Sequence, residues 1–157
     1  MPSLGCHDRT NNALVNGNHI SNVSSGGISS GNYFNSFSES PFGSSLTLSD
    51  NVIFHAGLGH RTAFGGTWGQ GSGGISITGS PRAPNTTTLH RNLTILDNRV
   101  TSLPSNPPLS AHSVSGLKIE GNSWCSWSQP NKVSGCADVT NSGNLCCDND
   151  CLRCRPC

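Results

Sequence analysis

The sequence predicts an all-β fold, a solenoid of about four to six coils over residues 1–127 followed by a small Cys-rich tail over residues 128–157. Three observations predict it: a residue usage that disfavours helices, an eight-residue template that recurs four times, and a crowd of cysteines near the C-terminal end.

Ser (25), Asn (17) and Gly (19) supply 61 of the 157 residues. All three are weak in helix interiors, because they favour turns or cost backbone entropy. Only 11% of residues are charged and 32% are hydrophobic, which argues against a helical bundle. The formal net charge of +1 leaves no electrostatic footprint for nucleic acid or an anionic membrane, so neither is an expected partner. No window approaches the roughly 18 apolar residues of a membrane span, and residues 1–10 lack the apolar stretch of a signal peptide.

The template reads apolar, any, apolar, any, any, Asn, any, apolar. Its copies are Ala13 to Ile20, Leu46 to Ile53, Leu93 to Val100 and Leu117 to Trp124. Alternation puts the first and third residues on the inner face of a short strand. The Asn then falls at a bend, where it tolerates left-handed backbone and can bond to its equivalent one coil away. Asn18, Asn51, Asn98 and Asn122 are thus expected to form a ladder along strands stacked about 4.8 Å apart. The final apolar residue opens a second strand. Of the offsets 33, 47 and 24, the last reads as one coil, 47 as two, and 33 as one with an insertion. Gly26-Gly27-Ile28 and Gly73-Gly74-Ile75, also 47 apart, read as a strand on a third face. The competing reading is a β-sandwich or a partly disordered chain with chance Asn matches; the shared spacing of four copies favours the solenoid. With no amphipathic cap before its first coil, the chain is read as truncated at its N-terminus.

This succession of short strand, Asn corner, second strand and Gly-Gly-Ile turn resembles the right-handed parallel β-helix proteins of the pectate-lyase-like superfamily, over about Ala13 to Trp127. Gly73 to Gly79 followed by Asn92 to Val100 is most similar to glycoside-hydrolase-like β-helices. The resemblance implies a right-handed β-helix that degrades or binds polysaccharide, and it carries over no lyase residue.

Taking the template's core positions as inward, Leu14, Thr47, Thr94 and Lys118 point outward before the corner, and His19, Val52, Arg99 and Ser123 after it. The connection from His55 to Gly74 is long and carries His60, Arg61, Phe64 and Trp68 among eight glycines. Trp68 could stack on a sugar face, while His60, Arg61 and Arg99 could hold substrate; the plainer reading has Phe64 and Trp68 covering the coil wall. Asp50 and Asp97 hold equivalent positions before two corner Asn residues. Two rungs apart they would stand about 9.6 Å from each other, within reach of an inverting carboxyl pair. The plainer reading is that Asp suits a corner. His7-Asp8-Arg9 and His90-Arg91 are lesser clusters, readable as turns. The sequons at Asn22, Asn85 and Asn92 are compatible with secretion. No cofactor or metal is expected.

Cys125, Cys136, Cys146, Cys147, Cys151, Cys154 and Cys157 fall within the last 33 residues. Two readings compete, a disulfide-stapled cap and a thiolate zinc site using Cys151 and Cys154 with Cys146 or Cys147 and Cys157. The crowded pairs and the absence of His favour disulfides, hence an extracellular setting. With an odd number of thiols, Cys6 or a partner chain takes the last one, or one stays free. Cys147 to Cys151 hints at calcium but lacks the Gly and bidentate Glu of an EF-hand loop.

The expected function is therefore a secreted protein that binds or cleaves polysaccharide, with Asp50 and Asp97 as acid and base. Its alternative is a non-catalytic structural or adhesive solenoid whose tail is a cap or binding module. Polysaccharide, and the N-terminal remainder of a longer parent chain, are the expected partners.

Overall fold

The computed structural model describes residues 4–6, 11–23, 26–32, 43–56, 73–79, 90–103, 106–126, 130–148 and 150–157. Among these the regular structure is all strand, sixteen in number. The chain makes five circuits of three strands each. The first is β1 (Leu4–Cys6), β2 (Leu14–Asn16) and β3 (His19–Val23); the second is β4 (Ile28–Asn32), β5 (Gly43–Ser49) and β6 (Val52–Ala56). The third is β7 (Ile75–Gly79), β8 (His90–Leu96) and β9 (Arg99–Ser102); the fourth is β10 (Leu109–His112), β11 (Val114–Glu120) and β12 (Ser123–Cys125). The fifth is β13 (Lys132–Ser134), β14 (Ala137–Ser142) and β15 (Leu145–Cys147), after which β16 (Cys154–Pro156) ends the chain.

Each strand pairs in parallel with the equivalent strand of the next circuit, giving three sheets in the orders β1-β4-β7-β10-β13, β2-β5-β8-β11-β14 and β3-β6-β9-β12-β15. Only β16 runs antiparallel, against β15. All three sheets pair a strand before residue 126 with one after residue 130, so the fifth circuit lies within the span expected to be tail. Its Val139 to Cys146 stretch keeps the template's spacing with an inner Asn141 where the other copies are apolar.

Alternation within each strand fills the interior. Leu46, Leu93 and Leu117 form one inward line of the second sheet and Leu48, Ile95 and Ile119 another, facing Ile53, Val100 and Trp124 of the third sheet and Ile28, Ile75 and Leu109 of the first. All are buried. The expected outward residues follow the register, Leu14–Thr47–Thr94–Lys118 on the second sheet and His19–Val52–Arg99–Ser123 on the third.

The offsets are single circuits, 33, 47, 24 and 22 residues between successive ladder Asn residues. Reading 47 as two coils is thus corrected: β5 pairs directly with β8, and the surplus residues fall between strands of one circuit. Side-chain amides of Asn18, Asn51, Asn98, Asn122 and Asn144 are hydrogen-bonded in sequence, each donating from Nδ2 to the next Oδ1 at 2.9–3.0 Å. The same oxygen also accepts the backbone N–H of the preceding Asn. The left-handed residue of this corner is not the Asn but the one before it: Gly17, Asp50, Asp97, Gly121 and Gly143 all have φ between 52° and 67°. A second line, Ser45, Asn92, Gly116 and Asp138, is left-handed within the second sheet, and Asn12 continues it just before β2. These are largely the residue types that adopt the conformation at low cost.

The Gly-Gly-Ile turn has a packing reason. A Cβ on Gly74 would collide with Val100 Cγ1 and come to 2.9 Å of the Pro108 carbonyl, and one on Gly27 would come to 2.5 Å of Ile53 Cγ2. Only a bare backbone fits between the entry to the first sheet and the aliphatic core.

Candidate functional site

The outer face of the third sheet carries two lines of side chains. His19, Val52, Arg99, Ser123 and Leu145 form the first; Ser21, Phe54, Thr101, Cys125 and Cys147 form the second. After Cys147 the chain turns, with the Asp148 carboxylate accepting the backbone N–H of Leu152 (2.9 Å) and of Arg153 (3.3 Å). That turn engages Oδ1 of the carboxylate with its own backbone.

The turn lies against the second line. Cys151 Sγ is 3.9 Å from Thr101 Oγ1, and Thr101 is only 5% exposed. Disulfides Cys125–Cys151, Cys147–Cys154 and Cys146–Cys157 fasten it, and the Cys157 N–H donates to the Asn144 carbonyl at 3.0 Å. Three bridges suit an oxidising, extracellular environment, and no helix of the described residues is long and apolar enough to cross a membrane. Cys136, one of the seven candidates, is a free, half-buried thiol, the one that the odd count leaves over.

Beside this strap the outer face stays open. A groove of about 430 Å³ is lined by His19, Val52, Ile53, Phe54, His55, Arg99, Thr101 and Asp150. Its floor is apolar: Phe54 is 42% exposed and its ring stacks on His55, centroids 3.7 Å apart. Arg99 and His19 stand on the first outward line, and Asp150 comes from the strap. The arrangement offers an aromatic face, a guanidinium, two imidazoles and one carboxylate to a ligand lying across the rungs. It holds no second carboxylate among its lining residues.

Of the residues expected to bind substrate, Arg99 is in this groove; His60, Arg61 and Trp68 lie outside the described residues. Asp50 and Asp97 sit at the neighbouring corner, on adjacent rungs rather than two apart, since the Asp50 N–H donates to the Leu96 carbonyl at 3.1 Å. Both are exposed. Asp50 Oδ2 accepts Asn16 Nδ2 at 2.9 Å, and Asp97 Oδ1 overhangs Gly121. Their left-handed backbone, shared with Gly17, Gly121 and Gly143, gives Asp at both positions a conformational reason. Phe54 and Asp150 were missed. Phe54 carried a signal, two residues beyond outward Val52 and so outward itself; Asp150 reaches the groove only through the Cys125–Cys151 bridge, which spacing did not show.

No family model matches the chain, and no curated protein and no solved structure matches it either.

Proposed function

We propose that the chain is a right-handed parallel β-helix, secreted, that binds polysaccharide along the outer face of its third sheet. The observation that carries this reading is the groove itself: exposed Phe54 stacked with His55, flanked by Arg99 and His19, with Asp150 across from them. An aromatic ring offers a sugar its C–H face, and charged and imidazole groups beside it orient hydroxyl or acidic substituents. The circuits of three parallel strands, the Asn corners and the Gly-Gly-Ile turns support the pectate-lyase-like architecture. The three bridges suit a secreted protein. The test is binding of a panel of soluble polysaccharides by affinity electrophoresis and calorimetry. Phe54→Ala and Arg99→Ala are expected to abolish retention while leaving the circular dichroism unchanged; retention that survives both removes the groove from the reading.

Hydrolysis stands as a second reading because Asp50 and Asp97 hold equivalent corner positions on adjacent rungs, whose backbones stack about 4.8 Å apart. Asp50→Asn/Asp97→Asn keeps a residue that tolerates left-handed backbone and removes both charges. Loss of glycan turnover in this variant, with binding intact, supports catalysis at the corner; unchanged turnover refutes it.

A further inference from the structure

The second outward line of the third sheet ends in two cysteines, Cys125 and Cys147, which are register partners on neighbouring strands. The Sγ atoms of Cys125, Cys147 and Cys151 all lie within 4.8 Å of one another, and Cys154 is bonded to Cys147. The bridges Cys125–Cys151 and Cys147–Cys154 are therefore side by side. Four thiolates held tetrahedrally at about 2.3 Å from a zinc ion stand about 3.8 Å apart. Three of these sulfurs are already gathered on that scale.

The fourth is supplied by Cys151-Leu152-Arg153-Cys154, which has the C-x2-C spacing of a zinc knuckle. Its turn is held without help from the sulfurs: the Cys151 N–H donates to the Asp148 carbonyl at 3.0 Å and the Asp148 carboxylate collects the next two backbone N–H groups. Cys125 is 0% and Cys147 8% exposed, so one pair of ligands stands on the rigid sheet and the other on the preformed turn.

We propose that in the reduced chain Cys125, Cys147, Cys151 and Cys154 form a tetrathiolate zinc site, so that oxidation and metal are two alternative closures of the same strap. This ligand set differs from the one the sequence suggests: it takes Cys125 from the fourth circuit and leaves out Cys146 and Cys157. An external dithiol reduces each bridge by giving up two electrons and two protons and becoming a disulfide. Two equivalents free four thiols, and zinc then displaces their four protons.

The test uses the full chain, reduced by excess dithiol without oxygen, desalted, and titrated with cobalt(II) as the spectroscopic stand-in for zinc. One cobalt per chain is expected, with the intense visible bands of a tetrahedral site, thiolate-to-cobalt charge transfer, and displacement by zinc. Cys147→Ser is expected to lose this spectrum, whereas Cys136→Ser and the double variant Cys146→Ser/Cys157→Ser retain it. Far-UV circular dichroism follows each titration, and the double variant shows that loss of two tail sulfurs as such is not the cause. A reduced chain that binds no cobalt, folded or unfolded, overturns the proposal, as does a Cys147→Ser spectrum equal to that of the unaltered chain.

Discussion

Asn98→Ala tests the physical basis of the corner. Asn98 is 1% exposed, and its side chain makes five hydrogen bonds: Nδ2 donates to the Leu48, Leu96 and Asn122 oxygens, and Oδ1 accepts both N–H and Nδ2 of Asn51. Truncation orphans the buried Asn51 backbone N–H and strips a donor from two main-chain carbonyls. An unsatisfied buried group costs about 1–3 kcal/mol; with one orphaned donor and two weakened acceptors, the loss is about 3–5 kcal/mol. Against a typical stability of about 5–15 kcal/mol that is a large fraction. The built-in comparison is Asn18→Ala in the first circuit. Asn18 is half-buried, bonding to Asn51 and the Asn16 carbonyl. Solvent reaches the groups its truncation would expose, so the cost is about 1 kcal/mol or less. Urea unfolding of both variants, followed by far-UV circular dichroism and tryptophan fluorescence, measures the difference. A cost for Asn98→Ala within 1 kcal/mol of that for Asn18→Ala would refute the argument that buried satisfaction, rather than corner propensity, makes this Asn necessary.

Three further outcomes follow from the same geometry. Gly74→Ala forces a methyl into Val100 and toward the Pro108 carbonyl and is expected to cost about 1–3 kcal/mol by overpacking, read as a lower urea midpoint. Asp97→Gly relieves left-handed strain, so its midpoint is expected to stay level or rise, whereas Gly121→Ala at φ +67° on the next rung, meeting the Asp97 carboxylate, lowers it by about 1–2 kcal/mol. Removing the Cys125–Cys151 bridge as Cys125→Ala/Cys151→Ala opens a 26-residue separation and is expected to cost about 3.5 kcal/mol in the chain-entropy treatment, measured by thermal unfolding. The same variant frees Asp150 from the groove wall, so glycan retention falls with it.

The all-β class was legible because a period of two followed by Asn is a local pattern: inward Leu46 and Leu48, Leu93 and Ile95, Leu117 and Ile119 are buried and outward Thr47, Thr94 and Lys118 are less so. Circuit length was not, because a stack fixes which residues face each other and places no limit on what leaves between strands. Asn51 and Asn98 bond directly across 47 residues, while Asn122 and Asn144 do so across 22. The fifth circuit escaped notice for a related reason. Its inner positions carry Val139 and Asn141 rather than two aliphatic residues, and Val139 is 43% exposed because the second sheet ends there. The requirement for apolar residues relaxes at the last rung, and with it the sequence signal.

The groove illustrates the same limit from the other side. His19, Phe54 and Arg99 come from three different circuits, 35 and 45 residues apart in sequence by subtraction of their numbers, yet parallel register sets them on adjacent rungs of one face. Register alone would leave that face flat. Its depth comes from the strap, and the strap is held by Cys151 over Thr101 and by Asp148 bonding to its own turn. A covalent bridge therefore does what the small core of the last circuit cannot: it fixes a charged loop against an open sheet. If the bridge serves the site as well as the fold, then reduction lowers glycan affinity before it lowers stability. Titrating a mild dithiol while following both retention and circular dichroism separates the two, and a joint loss at one dithiol concentration would mean that the strap is needed for the fold alone.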